Sequence, residues 1–160
     1  MTERVGRSGV GGAWDLTNYA GVTGRGRQGY NGGTWPGSGI VTSQTAAVIT
    51  RGRTTLGVVQ ASDAFNIAAS ATANFGGETV TGSSVLVKYT WMGDLNLSGR
   101  INGDDYFRMD NQFPSSNTLA NGDFAYNCTV NADDYFCIDL TFAAQTGTRS
   151  GPPRGGRRPQ

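Results

Sequence analysis

Histidine is missing from this 160-residue chain. Its absence removes Ser-His-Asp and Cys-His catalysis, the HExxH zinc site and every imidazole-bound metal. Lysine occurs once, at Lys88, which leaves P-loop and Schiff-base chemistry almost nothing to use. The two cysteines, Cys128 and Cys137, are too few for a Cys-only zinc site or a disulfide framework, and two free thiols are expected. No run of 18 apolar residues occurs, so no membrane-spanning helix is expected. The opening MTERVGRSGVGG has no apolar h-region, so no secretory signal is read there. Apolar residues make up 37 %, enough for a small core only.

Glycine is plentiful, with 25 residues beside 5 prolines, but follows no G-X-Y period; the chain is turn-rich rather than collagen-like. The net charge of +1 hides a division. Residues 94–139 hold eight acids, all aspartate, against Arg100 and Arg108. The preceding residues carry a small positive excess, and the segment after 139 has four arginines and no acid. Aspartate is a poor helix former but a good turn residue and oxygen ligand. A block of it suggests a cation site or a solvated surface, and its internal order decides which.

That order is a repeat. Aligning Gly93–Phe113 on Gly122–Phe142, an offset of 29, gives 9 identities in 21 positions. They include Asp94/Asp123, Asn102/Asn131, Asp105/Asp134, Tyr106/Tyr135, Phe107/Phe136 and Asp110/Asp139. Duplication of this kind signals a repeated supersecondary unit. DLNLSGRINGDD fits the 12-residue calcium loop, whose ligands stand at positions 1, 3, 5, 7, 9 and 12 with glycine at 6. Asp94, Asn96, Ser98, the Arg100 carbonyl, Asn102 and Asp105 fill those places, with Gly99 at 6. Ile101 at position 8 is the apolar residue expected to pin the loop to its neighbour. All donors are oxygens, as a hard cation requires, and two carboxylates point to modest affinity. The second copy keeps Asp123, Asn127, the Thr129 carbonyl, Asn131 and Asp134, but has Ala125 at position 3 and Cys128 at 6. After each loop the apolar spacing turns helical, with Tyr106, Met109 and Phe113 on one face and Tyr135, Ile138 and Phe142 on the other copy's face.

GDLNLSGRINGDDYFRMDNQF and GDFAYNCTVNADDYFCIDLTF resemble the two segments of a dockerin, the duplicated loop–helix calcium module of bacterial polysaccharide-degrading systems. The aspartate at position 12 is part of the resemblance. WDLTN, the GYNGG–W–G–GI stretch at Gly29–Ile40, and VLVKYT resemble what precedes such a pair at the C-terminal end of large repetitive secreted or surface proteins of environmental bacteria. The resemblance implies Ca2+ as cofactor, a non-enzymatic attachment or assembly role linked to polysaccharide degradation, an extracellular or cell-surface location, and a cohesin-like protein partner. The partner would meet positions 10 and 11, here Gly103, Asp104, Ala132 and Asp133 in place of the best-known class's hydroxyl pair. It also implies that the chain is a fragment or has a misplaced start. The alternative reading is a structural surface protein with vestigial calcium loops.

The expected fold class is α+β. A β-rich, loop-rich segment occupies 1–92, a dockerin-like pair packed antiparallel 93–143, and a disordered basic tail 144–160. Strands are expected over Gly39–Ile49, where Ala46–Ile49 could instead begin a short helix, and over Thr55–Gln60 and Ser84–Trp91, with turns at Gly76-Gly77 and Gly82 and a short helix carrying Phe65 within Ala61–Asn74. Gly24–Gly29 satisfies GxGxxG, but with no strand before it and no apolar helix after it no nucleotide site is expected. Tyr30 and Trp35 are expected in the core rather than on a sugar. Asp15, Asp63 and Glu78 are isolated, so no acid pair for glycoside hydrolysis is proposed by the sequence. The arginine–glycine segments carry too few charges to make nucleic acid the expected partner.

Overall fold

A computed structural model describes residues 21–48, 53–111, 122–124 and 130–145. Among them four helices and two small antiparallel sheets make an α+β fold. Helix α1 spans Gly21–Tyr30 and runs into a 3-10 turn at Asn31–Gly33; a second turn lies at Thr45–Ala47. Strand β1 (Thr54–Gln60) pairs with β4 (Val85–Trp91), in register from Thr54↔Trp91 to Gln60↔Val85. Between them come α2 (Ala61–Phe65) and the β2–β3 hairpin, Thr72–Phe75 with Glu78–Thr81. Helices α3 (Gly103–Asp110) and α4 (Ala132–Ala144) follow. No helix of the described residues is long and apolar enough to cross a membrane.

The β1–β4 pair is covered on both faces, which is why TTLGVVQ reads as a nearly continuous buried run. Leu56 and Val58, with Val85 and Tyr89, pack on Tyr30, Trp35 and Ala47. Val59 and Leu86, on the other face, pack on Ala61, Ala64 and Leu97. Trp35 is fixed by its indole N–H donating to the Ala47 carbonyl at 3.0 Å and by an edge-on contact with Tyr30, centroids 5.3 Å apart. Both aromatics are thus core residues, as the sequence reading expects.

Two elements differ from expectation. The Gly24–Gly29 stretch is itself helical. Glycine costs a helix up to about 1 kcal/mol per residue, and here close packing offsets it. The Ile40 N–H donates to the Arg25 carbonyl at 2.9 Å, and a Cβ on Gly29 or Gly39 would sit 1.8 Å from a carbonyl oxygen of the facing segment. The stretch from Gly39 is not a strand among its described residues, because its backbone groups serve α1 and the Thr45–Ala47 turn instead of a partner strand. The short helix expected within Ala61–Asn74 is present and carries Phe65; it stops there, where Asn66 takes φ +52°, and Thr72–Phe75 is a strand. The glycine turns hold: Gly76 and Gly77, at φ +64° and +96°, join β2 to β3.

Candidate metal loops

Loop one leaves β4 through Gly93 and curls back into α3. Asp94 is 4 % exposed and Asp105 fully buried. One oxygen of Asp94, Oδ2, accepts from the Thr90 hydroxyl and from the Gly99 N–H, the latter at 2.8 Å. Its other oxygen lies 3.3 Å from the Ser98 hydroxyl, which is itself 3.0 Å from the Arg100 carbonyl oxygen. Oxygens from positions 1, 5 and 7 therefore converge. Asn96 Oδ1 is turned onto the Ser98 N–H at 2.9 Å. Asp105 Oδ1 accepts from the Leu95 and Asn96 N–H groups at 2.8 and 3.4 Å, and Oδ2 from the Asn102 N–H at 2.9 Å. Asn102 returns the favour at the helix start, its side chain accepting from the Asp104 N–H at 2.7 Å. Positions 9 and 12 are thus also the N-cap and N3 of a capping box.

Loop two repeats the part of this pattern that is described. Asp123 and Asp134 are fully buried. Asp134 accepts from the Phe124 N–H at 2.8 Å and the Asn131 N–H at 3.1 Å, and Asn131 caps α4 through the Asp133 N–H at 2.7 Å. Asn127, Thr129, Ala125 and Cys128 lie outside the described residues. Among the described residues no three His, Cys, Asp or Glu side chains come together as a metal-binding group, so loop one offers two carboxylates plus amide, hydroxyl and carbonyl oxygens.

The electrostatics of loop one are those of buried acids. Burial pushes the Asp105 carboxyl up to about 6; backbone N–H donors pull it down, and the Asp94 charge adds to the rise. Of the six expected ligands, the oxygens of Asp94, Ser98 and Arg100 come together, while those of Asn96, Asn102 and Asp105 accept from backbone N–H groups; the donor set, all oxygen with two carboxylates, has the chemistry a hard cation takes.

The two copies also meet reciprocally. The Tyr106 hydroxyl donates to Asp139 at 2.6 Å, and the Tyr135 hydroxyl to Asp110 at 2.5 Å. A Cβ on Gly93 would lie 2.6 Å from Ile138, and one on Gly122 3.2 Å from Met109, the residue equivalent to Ile138. Ile101 and Val130, the two position-8 residues, share one buried cluster with Met109 and Ile138. Phe142 is 49 % exposed but stacks edge-on against Tyr106; Phe113 lies outside the described residues.

Gly103, Asp104, Ala132 and Asp133 are all exposed. Beside them stand Phe107 and Phe136, 68 % and 63 % exposed. Phe107 borders an open groove with Asp104, Asn96 and Asp63, and Phe136 a hollow with Ala132, Tyr135 and Asp139. Their identity across the repeat was the signal that could have drawn attention to them. Gln145 had no such signal. Its side-chain amide holds the backbone of Ile101 from both sides, accepting from the N–H and donating to the carbonyl, each at 2.8 Å. Arg108 donates to the Asp63 and Ala64 carbonyls at 2.7 and 3.3 Å, closing the end of α2. Tyr30 lies close enough to loop two that Cys137, Asp123 and Asp134 add to burial in raising its phenol pKa. The Cys137 thiol is free and half-buried; burial, then Asp134 and Asp133, push its pKa up.

No protein-family model, curated protein or solved structure matches the chain.

Proposed function

We propose that residues 93–143 form a dockerin-like, calcium-binding module that attaches or assembles a secreted or surface protein, with a link to polysaccharide breakdown. Asp94, Asn96, Ser98, the Arg100 carbonyl, Asn102 and Asp105 would hold the main ion. Asp123, Asn127, the Thr129 carbonyl, Asn131 and Asp134 would hold a second. The observation that carries the reading is the duplicated carboxylate arrangement. In each copy a buried position-12 aspartate accepts from the N–H groups of positions 2 and 9, at an offset of 29 residues. The reciprocal tyrosine–aspartate pairs support an antiparallel packing of α3 on α4. The ion's role is structural: calcium neutralises acids that the fold buries. The exposed Phe107 and Phe136 give a cohesin-like protein partner an apolar anchor on each copy.

A second reading, a structural surface protein with vestigial loops, is favoured by one observation. Both Asp105 oxygens are already hydrogen-bonded within the protein. Calorimetric titration of the full chain with calcium separates the two. Micromolar-range binding that is lost in Asp94→Ala, Asp105→Ala is expected. One equivalent marks loop two as degenerate and two equivalents mark it as competent. No heat and no change in helicity would sink the calcium reading and leave the structural one.

A further inference from the structure

Loop one is held from outside itself. Strand β4 presents Lys88 and Thr90 on the face where Gly57 and Thr55 stand opposite them on β1. Both side chains reach the loop. The Thr90 hydroxyl, fully buried, donates to Asp94 Oδ2. Lys88 Nζ donates to the carbonyl of Leu97, loop position 4, at 2.8 Å. Leu97 turns the chain with φ +57° and is 4 % exposed, seated among Val59, Ala61, Ala64 and Leu86. It lies directly over Gly57, where a Cβ would come within 2.5 Å of its Cδ2.

The consequence lies in how the two oxygens of Asp94 are divided. Thr90 and Gly99 both donate to Oδ2. Oδ1 is left facing Ser98 and, through it, the Arg100 carbonyl, where the loop oxygens converge. A donor that fixes one carboxylate oxygen orients the other, which is how outer-shell groups tune a metal ligand.

We infer that strand β4 is part of the cation site, with Thr90 the positioning residue that sets the calcium affinity of loop one. This rests on the calcium reading of that loop. Lys88 and the seated Leu97 hold the same loop at position 4, so the β1–β4 pair and the loop form one unit. In the second copy the 29-residue offset carries Thr90 onto Leu119 and Lys88 onto Asn117, side chains of different chemistry.

The test is calcium calorimetry on the full chain with Thr90→Val and Thr90→Ser, alongside thermal unfolding in chelator. Thr90→Val keeps the shape and removes the donor, and its loop-one affinity is expected to fall about tenfold. Thr90→Ser restores the donor and is expected to stay near the parent affinity. A hydroxyl that merely steadied the strands would lower the chelator-state midpoint and leave the calcium affinity unchanged. Should Thr90→Val fail to fold, Thr90→Cys, with its far weaker donor, takes the same test. Unchanged affinity in the folded donor-free variant, or equal losses in Ser and Val, overturns the inference while the calcium reading stands. A parent chain that binds no calcium overturns both.

Discussion

Asp105 is a fully buried carboxyl of loop one. Its folded-state pKa is raised to about 6 by burial, against an unfolded value near 3.9. In the metal-free protein the folded chain therefore keeps a proton between roughly pH 4 and 6 that the unfolded chain has released. Stability from this group is present in acid and is lost as pH rises through 6. The metal-free thermal midpoint is expected to fall from pH 5 to 7, and saturating calcium is expected to abolish that fall. A metal-free midpoint that instead rises from pH 5 to 7, and keeps its slope in Asp105→Asn, would contradict this. Tyr135 offers a second handle. Partial burial, its hydrogen bond to Asp110 and that carboxylate's charge push its phenol up to about 12, and burial with the bond to Asp139 and its charge raises Tyr106. Ultraviolet titration should show these tyrosines ionising after free tyrosine, with Asp110→Asn moving Tyr135 earlier.

At the scale of elements, caps and close approaches do most of the holding. Gln145 satisfies both backbone groups of Ile101, loop position 8. Gln145→Ala leaves them unpaired in a half-buried site and is expected to cost about 1–3 kcal/mol, read as a lower denaturant midpoint with an unchanged slope. A cost within a few tenths would show that water replaces the amide freely. Helix α1 depends on the absence of side chains at its contact with the Gly37–Ile40 segment. Gly39→Ala puts a Cβ 1.8 Å from the Arg25 carbonyl oxygen. Backbone there has to move, so a loss of about 1–3 kcal/mol or more is expected, together with a changed tryptophan spectrum from Trp35. An unperturbed variant would mean that α1 is not packed this way.

For the whole molecule, the two faces of β1–β4 join α1 on one side to loop one on the other, and α3 returns to α2 through Arg108. Calcium bound to loop one should consequently stabilise more than its own loop. At free calcium 100 times the dissociation constant the gain is about 2.7 kcal/mol. For a chain of this size that corresponds to a midpoint roughly 5–10 °C higher. The melting of Trp35, in the cluster with α1, and of Trp91, in the cluster with the loops, should rise together. A rise confined to Trp91 would show two independent units.

The repeat and the helices after each loop were legible in the sequence because they are local. Alternate residues of one short loop and i, i+3 neighbours of one helix need no partner to define them. The β1–β4 strands were legible for the same reason, their apolar runs being bounded by glycine and polar residues. The helix at Gly21–Tyr30 was not, since glycine argues against it and only the approach of Ile40 compensates. Nor was the hold of Thr90, Lys88 and Gln145 on loop one. Lys88 and Thr90 are only 9 and 4 residues from the loop atoms they bind, but Gln145 is 44 away, and none has a local pattern that announces it. Local chemistry determines which residues can ligate. Only tertiary packing decides that Gln145 closes the loop at Ile101 and that Leu97 seats over Gly57, because those partners come from segments far away along the chain.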